Sequence, residues 1–195
     1  PLRSGVTEIL GDLSQLILGE VNSAHMVIDM LLMNIKEEVQ NKENFKTLSI
    51  IDCVNAALDR YPFSPEEEKN KVRWDKNQTR FYFHGDLTMT THVLFNLLKN
   101  ALFYITNRAD AYIEMTLVSH ADRNELHFKD TGPGIPAQFL PHVFERFASQ
   151  RQGGTGVGLA FCKLVMESYG GTIRCESEEG KYTRFILSFP ILKNI

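Results

Sequence analysis

Four polar side chains recur at every fourth position in the segment HVLFNLLKNALFY. They are His92, Asn96, Asn100 and Tyr104, and a helix places this spacing along one stripe, opposite a stripe of leucine, alanine and isoleucine. The carboxamide oxygen of an asparagine is a hard, neutral ligand that suits Mg²⁺, whose other ligands are then phosphate oxygens and water. The stripe is therefore a candidate metal and phosphate site, although such a stripe taken alone is more often a solvated helix face.

A carboxylate and two glycines form a second candidate site, in the segment DTGPGIP that follows the alternating strand ELHFK. The Asp130 carboxylate can accept a hydrogen bond from the exocyclic amine of a base, and Gly132 and Gly134 leave room for the backbone to approach a flat ring. Because Asp, Gly and Pro are common turn residues, the segment on its own favours an ordinary turn.

The third candidate site is a glycine-rich helix start in the segment GGTGVGLAFCKLVMESYGG. Gly154, Gly156 and Gly158 lead into the helix, whose first N–H groups have no partner within the helix and can bind phosphate. The spacing is neither the dinucleotide-binding fingerprint nor the P-loop, because no Gly-Lys-Ser/Thr follows. In isolation, a closely packed glycine turn explains the segment equally well.

The elements that must position these sites follow from hydrophobic periodicity. The pattern predicts helices at about 49–60, 87–105 and 157–168, short strands around 72–74 and 80–83, and further strands near 113–117, 126–128, 173–175 and 185–189. This order predicts an α+β fold, an α/β sandwich in which helices cover one face of a mixed, mostly antiparallel sheet.

The first 40 residues predict a separate unit. Apolar residues recur with a helical period on both sides of Gly19 and Asn22, which indicates two amphipathic helices joined by a turn. Such a hairpin has too little surface to bury both apolar stripes, so we expect it to pack on the rest of the chain or, preferably, to form a four-helix bundle in a homodimer. The polar stretch 40–44 places the boundary between a hairpin, 1–41, and a second domain, 42–195.

Composition excludes several classes of function. The formal charge is -3 and no segment concentrates Lys and Arg, so nucleic-acid binding is not expected. The cysteines Cys53, Cys162 and Cys175 are far apart, which argues against a zinc site or a disulfide framework and favours a reducing compartment. The apolar runs are too short for a membrane helix. We therefore expect a cytoplasmic segment without membrane contact, although a longer parent protein could itself span a membrane.

Taken together, the motifs carry a family resemblance. NLLKNA, DTGPGIP, FERF at Phe144–Phe147 and GGTGVGLA occur in the order of the asparagine box, first glycine box, phenylalanine box and second glycine box. From about residue 45 to 190 the chain resembles the ATP-binding catalytic domain of bacterial sensor histidine kinases, within the gyrase, chaperone, histidine kinase and MutL ATPase superfamily.

The resemblance implies a role for each matched residue. Asn100 would hold Mg²⁺ with support from Asn96, Tyr104 would border the phosphates, and Asp130 would read the adenine amine. Gly132 and Gly134 would line the base. The second glycine box would surround the phosphates with Gly154, Thr155, Gly156, Val157, Gly158 and Leu159 beneath a short lid at 147–153, from which Arg146 and Arg151 would reach the γ-phosphate.

Two positions depart from the family pattern. Many members carry Lys or Arg three residues after the metal-binding Asn, but here that residue is Phe103, so one phosphate contact is missing or supplied elsewhere. Lys99 is not expected to replace it, because it lies about a quarter-turn from Asn100. Related hydrolases and mitochondrial dehydrogenase kinases place a general-base Glu at the position of Asn96. An amide cannot take a proton, whereas a neutral histidine acceptor is already nucleophilic, so the chemistry favours transfer to histidine.

The acceptor itself is not expected within this chain. No histidine here is followed by the family's phosphoacceptor motif, but Pro1 and Leu2 match that motif's last two residues, which predicts an acceptor about five positions upstream. The expected function is transfer of the ATP γ-phosphate to that histidine, for relay to an aspartate of a response regulator or a fused receiver domain. This chain alone is expected to bind Mg-ATP without autophosphorylating. The alternatives are a protein serine kinase of the dehydrogenase-kinase kind and a non-catalytic nucleotide-binding or dimerisation module.

Overall fold

The strands form two sheets in the computed structural model, which describes residues 42–63, 67–148 and 156–192. A small antiparallel sheet pairs β1 with β3, and the main sheet has the order β2-β4-β5-β7-β6. Among the strand pairs of the described residues, only β2–β4 is parallel, so the prediction of a mixed, mostly antiparallel sheet is confirmed. The strands are Lys46–Ser49 (β1), Val72–Trp74 (β2), Tyr82–Gly85 (β3), Ile113–Ser119 (β4), Arg123–Asp130 (β5), Thr172–Glu178 (β6) and Tyr182–Pro190 (β7).

Two of the helices begin at a residue whose side chain caps the helix. The helices are Ile50–Arg60 (α1), the short Glu67–Asn70 (α2), Leu87–Ile105 (α3) and Gly158–Ser168 (α4). The Ser49 hydroxyl accepts the N–H of Asp52 at the start of α1, and the Asp86 carboxylate accepts the N–H of Met89 at 2.8 Å at the start of α3. The predicted bounds of α3 are confirmed. In the described ranges, no helix has both the length and the apolar character needed to cross a membrane.

The core lies between these helices and one face of the main sheet. Alternate residues of the central strands point towards the helices, as a strand's period of two requires. They meet the apolar stripe of α3, and both sets are at most 4% exposed: Ile113, Met115, Leu126, Phe128, Phe185 and Leu187 from the sheet, with Leu94, Leu97, Leu98 and Ile105 from the helix. The α/β sandwich is therefore as predicted.

The opposite face of the sheet carries a buried carboxylate, Glu125, whose side chain is 1% exposed. Burial opposes its ionisation, but hydrogen bonds from four cationic or imidazole side chains outweigh burial and hold the pKa of Glu125 well below its usual range. The partners span three adjacent strands and the β4–β5 turn: His127 at 2.8 Å, Arg123 and Arg174 at 2.9 Å, the Ser188 hydroxyl at 3.1 Å and His120 at 3.2 Å. This cluster joins β5, β7 and β6 from outside.

One predicted strand is displaced along the chain. A strand was expected at 80–83, but β3 is Tyr82–Gly85, since its register against β1 pairs Lys46 with Gly85 and Ser49 with Tyr82. The preceding carbonyl of Phe81 instead accepts the N–H of Ile50 at 3.2 Å, where α1 begins. The predicted hairpin of residues 1–41 lies outside the described residues, so the domain boundary at 41/42 stays a prediction.

Candidate functional site

A cavity of about 430 Å³ lies among α3, the end of β5, the loop after β5 and the start of α4. All three candidate motifs contribute to its lining. The sequence-predicted residues in the lining are Asn96, Asn100, Tyr104, Asp130, Gly134, Gly156, Gly158 and Leu159. Segments that are distant in sequence therefore meet around one space.

The α3 stripe supplies the amide side of the cavity. Asn96 and Asn100 are both partly buried there, whereas Tyr104 is 45% exposed and meets the ring of Phe103 edge-on at 5.1 Å. The Asn96 side-chain amide donates to the carbonyl of His92 at 3.1 Å, which leaves its oxygen directed elsewhere. Three residues of the predicted stripe therefore line the cavity, whereas His92, the first of the four, is exposed and outside the lining.

Asp130 is the last residue of β5 and is only 5% exposed, although it lines the cavity. Burial raises its pKa to about 6, against the opposing effect of the Gly132 N–H, which donates to the Asp130 carboxylate at 2.9 Å. Gly132 does not itself line the cavity. A Cβ at Gly132 would lie 2.6 Å from the same carboxylate oxygen, so this glycine lets the backbone orient the acid.

The phenylalanine motif contacts the second glycine motif directly. Phe147 lines the cavity and has φ of 63°, and its N–H donates to the carbonyl of Gly156 at 3.1 Å. Gly156 also has a positive φ, and a Cβ on it would lie 2.5 Å from the Phe147 carbonyl carbon, so a side chain is excluded there. Phe147 and Gly156, which lie on either side of segment 149–155, are thus joined by a hydrogen bond. Arg151, Gly154, Thr155 and most of the expected lid lie outside the described residues.

The start of α4 presents backbone donors. Val157 is the N-cap residue, its side chain makes no capping hydrogen bond, and it does not line the cavity. Gly158 and Leu159 in the first turn do line it. N–H groups in the first turn of a helix have no intrahelical acceptor and favour anions, so this corner suits phosphate oxygens.

The positive charge of the cavity comes from a residue that the sequence argument set aside. Lys99 is the one lysine or arginine among the described lining residues, and Arg146 is exposed and outside the lining. Lys99 lies about a quarter-turn from Asn100, but it is three residues beyond Asn96 and shares its side of the helix, and its long side chain reaches the cavity. That Lys99 does not replace the missing phosphate contact stays a prediction, and its place in the lining weighs against it.

Several lining residues had no signal in the sequence. Thr183, 6% exposed, stands opposite Asp130 in the β5–β7 register, a pairing that only the sheet topology reveals. His142 also reaches the cavity, and its Nδ1 lies 2.9 Å from the Glu145 carboxylate. Strand alternation could have found Phe185. Ala101, Pro133, Ile135 and Phe147 belong to the motifs quoted above and Ala148 to the expected lid, whereas no pattern in the sequence indicated Phe139 and Val143.

The oxygen donors of the cavity suit a metal ion whose remaining coordination positions are filled by phosphate oxygens and water. No cluster of three or more His, Cys, Asp or Glu side chains capable of holding a metal occurs in the part of the chain that the structure describes. The Asn100 carboxamide is a neutral oxygen donor in the same cavity as the phosphate-suited helix start. Mg²⁺ commonly combines one or two protein oxygens with phosphate oxygens and water, so these residues fit it.

Comparison with known proteins gives a family match over the same region. The model of the histidine kinase-, DNA gyrase B-, and HSP90-like ATPases matches residues 85–193. A solved structure, the mycobacterial sensor histidine kinase MprB, superposes with a TM-score of 0.59 over 75% of this chain and 100% of that chain, at 23% sequence identity. This structural likeness shows a shared fold.

Two autoinducer receptors are similar over nearly the whole chain. The chain is 36% identical over 184 residues to the CAI-1 autoinducer sensor kinase/phosphatase CqsS of Vibrio cholerae. This alignment covers 92% of the chain and 26% of that protein. The chain is 34% identical over 175 residues to the autoinducer 1 sensor kinase/phosphatase LuxN of Vibrio campbellii, covering 89% of this chain and 20% of that protein. The chain thus spans about a quarter or less of the length of these relatives.

Proposed function

Because the chain belongs to the histidine kinase-, DNA gyrase B-, and HSP90-like ATPase family, we propose that it is the kinase core of a two-component sensor histidine kinase. In this proposal it binds Mg-ATP and donates the γ-phosphate to a histidine. The observation that carries the proposal is the convergence of Asn100, Asp130 and the α4 start on one cavity. The sensor kinases that share about a third of its residues support the same role.

The base would bind at the Asp130 end of the cavity. A carboxylate that is buried and already oriented by the Gly132 N–H is a directional acceptor for an exocyclic amine. Gly134 removes a side chain from the adjoining wall, and Thr183, which is opposite Asp130 in the β5–β7 register, also lines the cavity and offers a hydroxyl for a further polar contact. The apolar lining from Ile135 and Phe185 suits the faces of an aromatic ring.

The phosphates would bind between α3 and α4. Asn100 would hold Mg²⁺ and Asn96 would support it, while Lys99 and the first N–H groups of α4 would neutralise the phosphate oxygens. Bound magnesium supplies charge neutralisation at the transferring phosphoryl group. Tyr104 would border the phosphates. Predicted contacts from Arg146, Arg151, Gly154, Thr155 and Val157 remain part of the proposal.

The residues of the cavity favour histidine over serine as the acceptor. Asn96 occupies the place where a general base would stand, and an amide cannot accept the proton of a serine hydroxyl. A neutral imidazole needs positioning and charge neutralisation instead, which this cavity offers. The serine-kinase alternative is therefore not favoured.

The proposal extends to partners and location. We infer that the phosphoryl group passes on to an aspartate of a response regulator or a fused receiver, that the parent protein dimerises through the hairpin in 1–41, and that this region works in the cytoplasm. The support is the sensor-kinase identity of the relatives and the charge and cysteine pattern of the chain.

Calorimetric titration with ATP, with and without Mg²⁺, tests the binding step. The chain is expected to bind ATP more tightly with Mg²⁺, and Asn100→Ala is expected to lose that increment. Asn107→Ala is the matched control, because Asn107 is an exposed asparagine just beyond the end of α3 and outside the cavity. Absence of ATP binding, or a magnesium effect that survives Asn100→Ala, would favour the non-catalytic module.

The transfer step is tested in the full-length parent protein with γ-labelled ATP. Label on histidine is lost in acid and stable in alkali, whereas phosphoserine survives acid. Acid-labile label that disappears in Asn100→Ala but not in Asn107→Ala is the expected result. Acid-stable label would contradict transfer to histidine while leaving nucleotide binding intact.

A further inference from the structure

The loop that lines the base end of the cavity is held by a distant β-hairpin. Its three consecutive residues Pro133, Gly134 and Ile135 all line the cavity, and each contacts the β6–β7 hairpin. The side-chain contact among these is made by Ser177 of β6, which lies 42 positions from Ile135 in the sequence.

The Ser177 hydroxyl both accepts and donates a hydrogen bond. The oxygen accepts the N–H of Ile135 at 2.7 Å, and the hydroxyl donates to the carbonyl of Tyr182 at 2.7 Å, across the hairpin. It also lies 3.4 Å from the hydroxyl of Thr183, the residue opposite Asp130. A single side chain thus couples the loop to both strands of the hairpin.

The backbone of the turn completes the attachment. The N–H of Gly180, whose φ is 83°, donates to the carbonyl of Pro133 at 2.6 Å. Gly134, whose φ is 70°, lies so close to the hairpin that a Cβ on it would be 2.2 Å from the carbonyl oxygen of Glu178. The turn is closed by the Lys181 N–H on that carbonyl and by an ion pair between Lys181 and Glu178.

We propose that the β6–β7 hairpin, through Ser177, is a positioning element that sets the loop 131–135 for binding of the nucleotide base. The inference rests on the proposed function, since it concerns the base end of that same cavity. Ser177 does not line the cavity among the described residues, so it acts through its hydrogen bond to Ile135 and not by contact with the ligand. The same loop carries Gly132, whose N–H orients the Asp130 carboxylate, so a displaced loop would also loosen that acid.

The test compares Ser177→Ala with Ser177→Thr, using Mg-ATP and magnesium tripolyphosphate as probes. Loss of two hydrogen bonds in Ser177→Ala is expected to weaken Mg-ATP binding about fivefold to tenfold. Tripolyphosphate carries no base, so its affinity should not change. Ser177→Thr keeps the hydroxyl and should restore ATP affinity to within about twofold. The acid limb of the ATP affinity profile should move to higher pH in Ser177→Ala, because Asp130 loses part of its backbone donor.

Ser188→Ala is the matched control, since it removes a buried hydroxyl from the same hairpin. The Ser188 hydroxyl donates to Glu125 on the opposite face of the sheet. Ser188→Ala should lower thermal stability without changing ATP affinity. If Ser177→Ala does not fold, Ser177→Cys replaces it, with similar volume and weak hydrogen bonding. Unchanged ATP affinity in Ser177→Ala, or equal weakening of ATP and tripolyphosphate, would overturn the positioning role. Failure of the unmodified chain to bind Mg-ATP would instead overturn the proposed function.

Discussion

The side-chain oxygen of Asn96 lies 2.7 Å from the position that a Cβ on Gly158 would occupy. A side chain at residue 158 would require the Asn96 carboxamide to shift, so the glycine lets this amide lie against the start of α4. The contact keeps the amide stripe beside the backbone donors of α4. One glycine thus lets the Asn96 amide, part of the proposed metal-binding wall, contact the proposed phosphate-binding wall.

Gly158→Ala should separate those walls. Overpacking of a close contact costs about 1–3 kcal/mol, which corresponds to roughly tenfold weaker Mg-ATP binding if the strain is released when the walls part. The double variant Gly158→Ala/Asn96→Ala removes the carboxamide that the new methyl group meets, so thermal stability should recover. ATP affinity should stay low in the double variant if Asn96 supports the metal, and full recovery of affinity would contradict that role.

Asp130→Asn should weaken ATP binding by about 1–3 kcal/mol in a calorimetric titration, because an amide replaces the charged acceptor. The affinity of the unmodified chain should also fall as the pH drops below about 6, where the carboxylate takes up a proton. Phosphate protonation contributes to both proteins equally. A pH profile with the same acid limb in the variant would mean that Asp130 does not bind the base.

The same substitution should increase the stability of the unliganded protein. The folded-state pKa of Asp130 is raised, so its protonation contributes stability that is fully present below the unfolded pKa of about 3.9 and is lost as the pH rises through about 6. At pH 7 the buried negative charge lowers the free energy of unfolding, and a neutral Asn side chain avoids this loss. Urea unfolding should show Asp130→Asn more stable by about 2 kcal/mol at pH 7 and little changed at pH 4. Equal stability at pH 7 would contradict the raised pKa.

Lys99→Met should weaken binding of ATP but not of adenosine, because its charge acts on phosphates. The effect of an exposed lysine should be modest, about twofold to fivefold in low salt, and should shrink as salt is added. Lys76→Met is the control, since Lys76 is exposed, lies outside the cavity and changes the net charge equally. An identical loss in both variants would indicate a general charge effect.

Glu125→Gln should destabilise the fold without altering nucleotide affinity. The carboxylate is 1% exposed and pairs with two arginines that are 40% and 45% exposed, and loss of its charge-assisted hydrogen bonds costs about 1.5–3 kcal/mol. The depressed pKa means that this contribution is present above the unfolded value of about 4.3 and is lost as the pH falls further. Asp122→Asn is the control, because Asp122 pairs with the same Arg123 at 74% exposure and should cost under about 1 kcal/mol. Equal destabilisation in both would contradict the buried cluster.

The local sequence pattern was sufficient to predict features that depend on a single helix or strand. The bounds of α3 follow from its apolar stripe and the Asp86 cap, and the cavity wall follows from the spacing of Asn96, Asn100 and Tyr104. Contacts that join distant segments could not be read this way. The reach of Lys99 depends on a long side chain, and the Ser177 contact with Ile135 depends on sheet register and loop path. Neither leaves a periodic signal.

The hydrogen bond from Gly132 occupies one oxygen of Asp130 with a donor, and the carboxylate has no hydrogen of its own to offer once it is ionised. A purine with an amino group at position 6 meets an acceptor there, whereas guanine presents a carbonyl oxygen and two electron-rich atoms repel. In the proposed orientation of the base, the acid at position 130 would therefore favour adenine nucleotides over GTP.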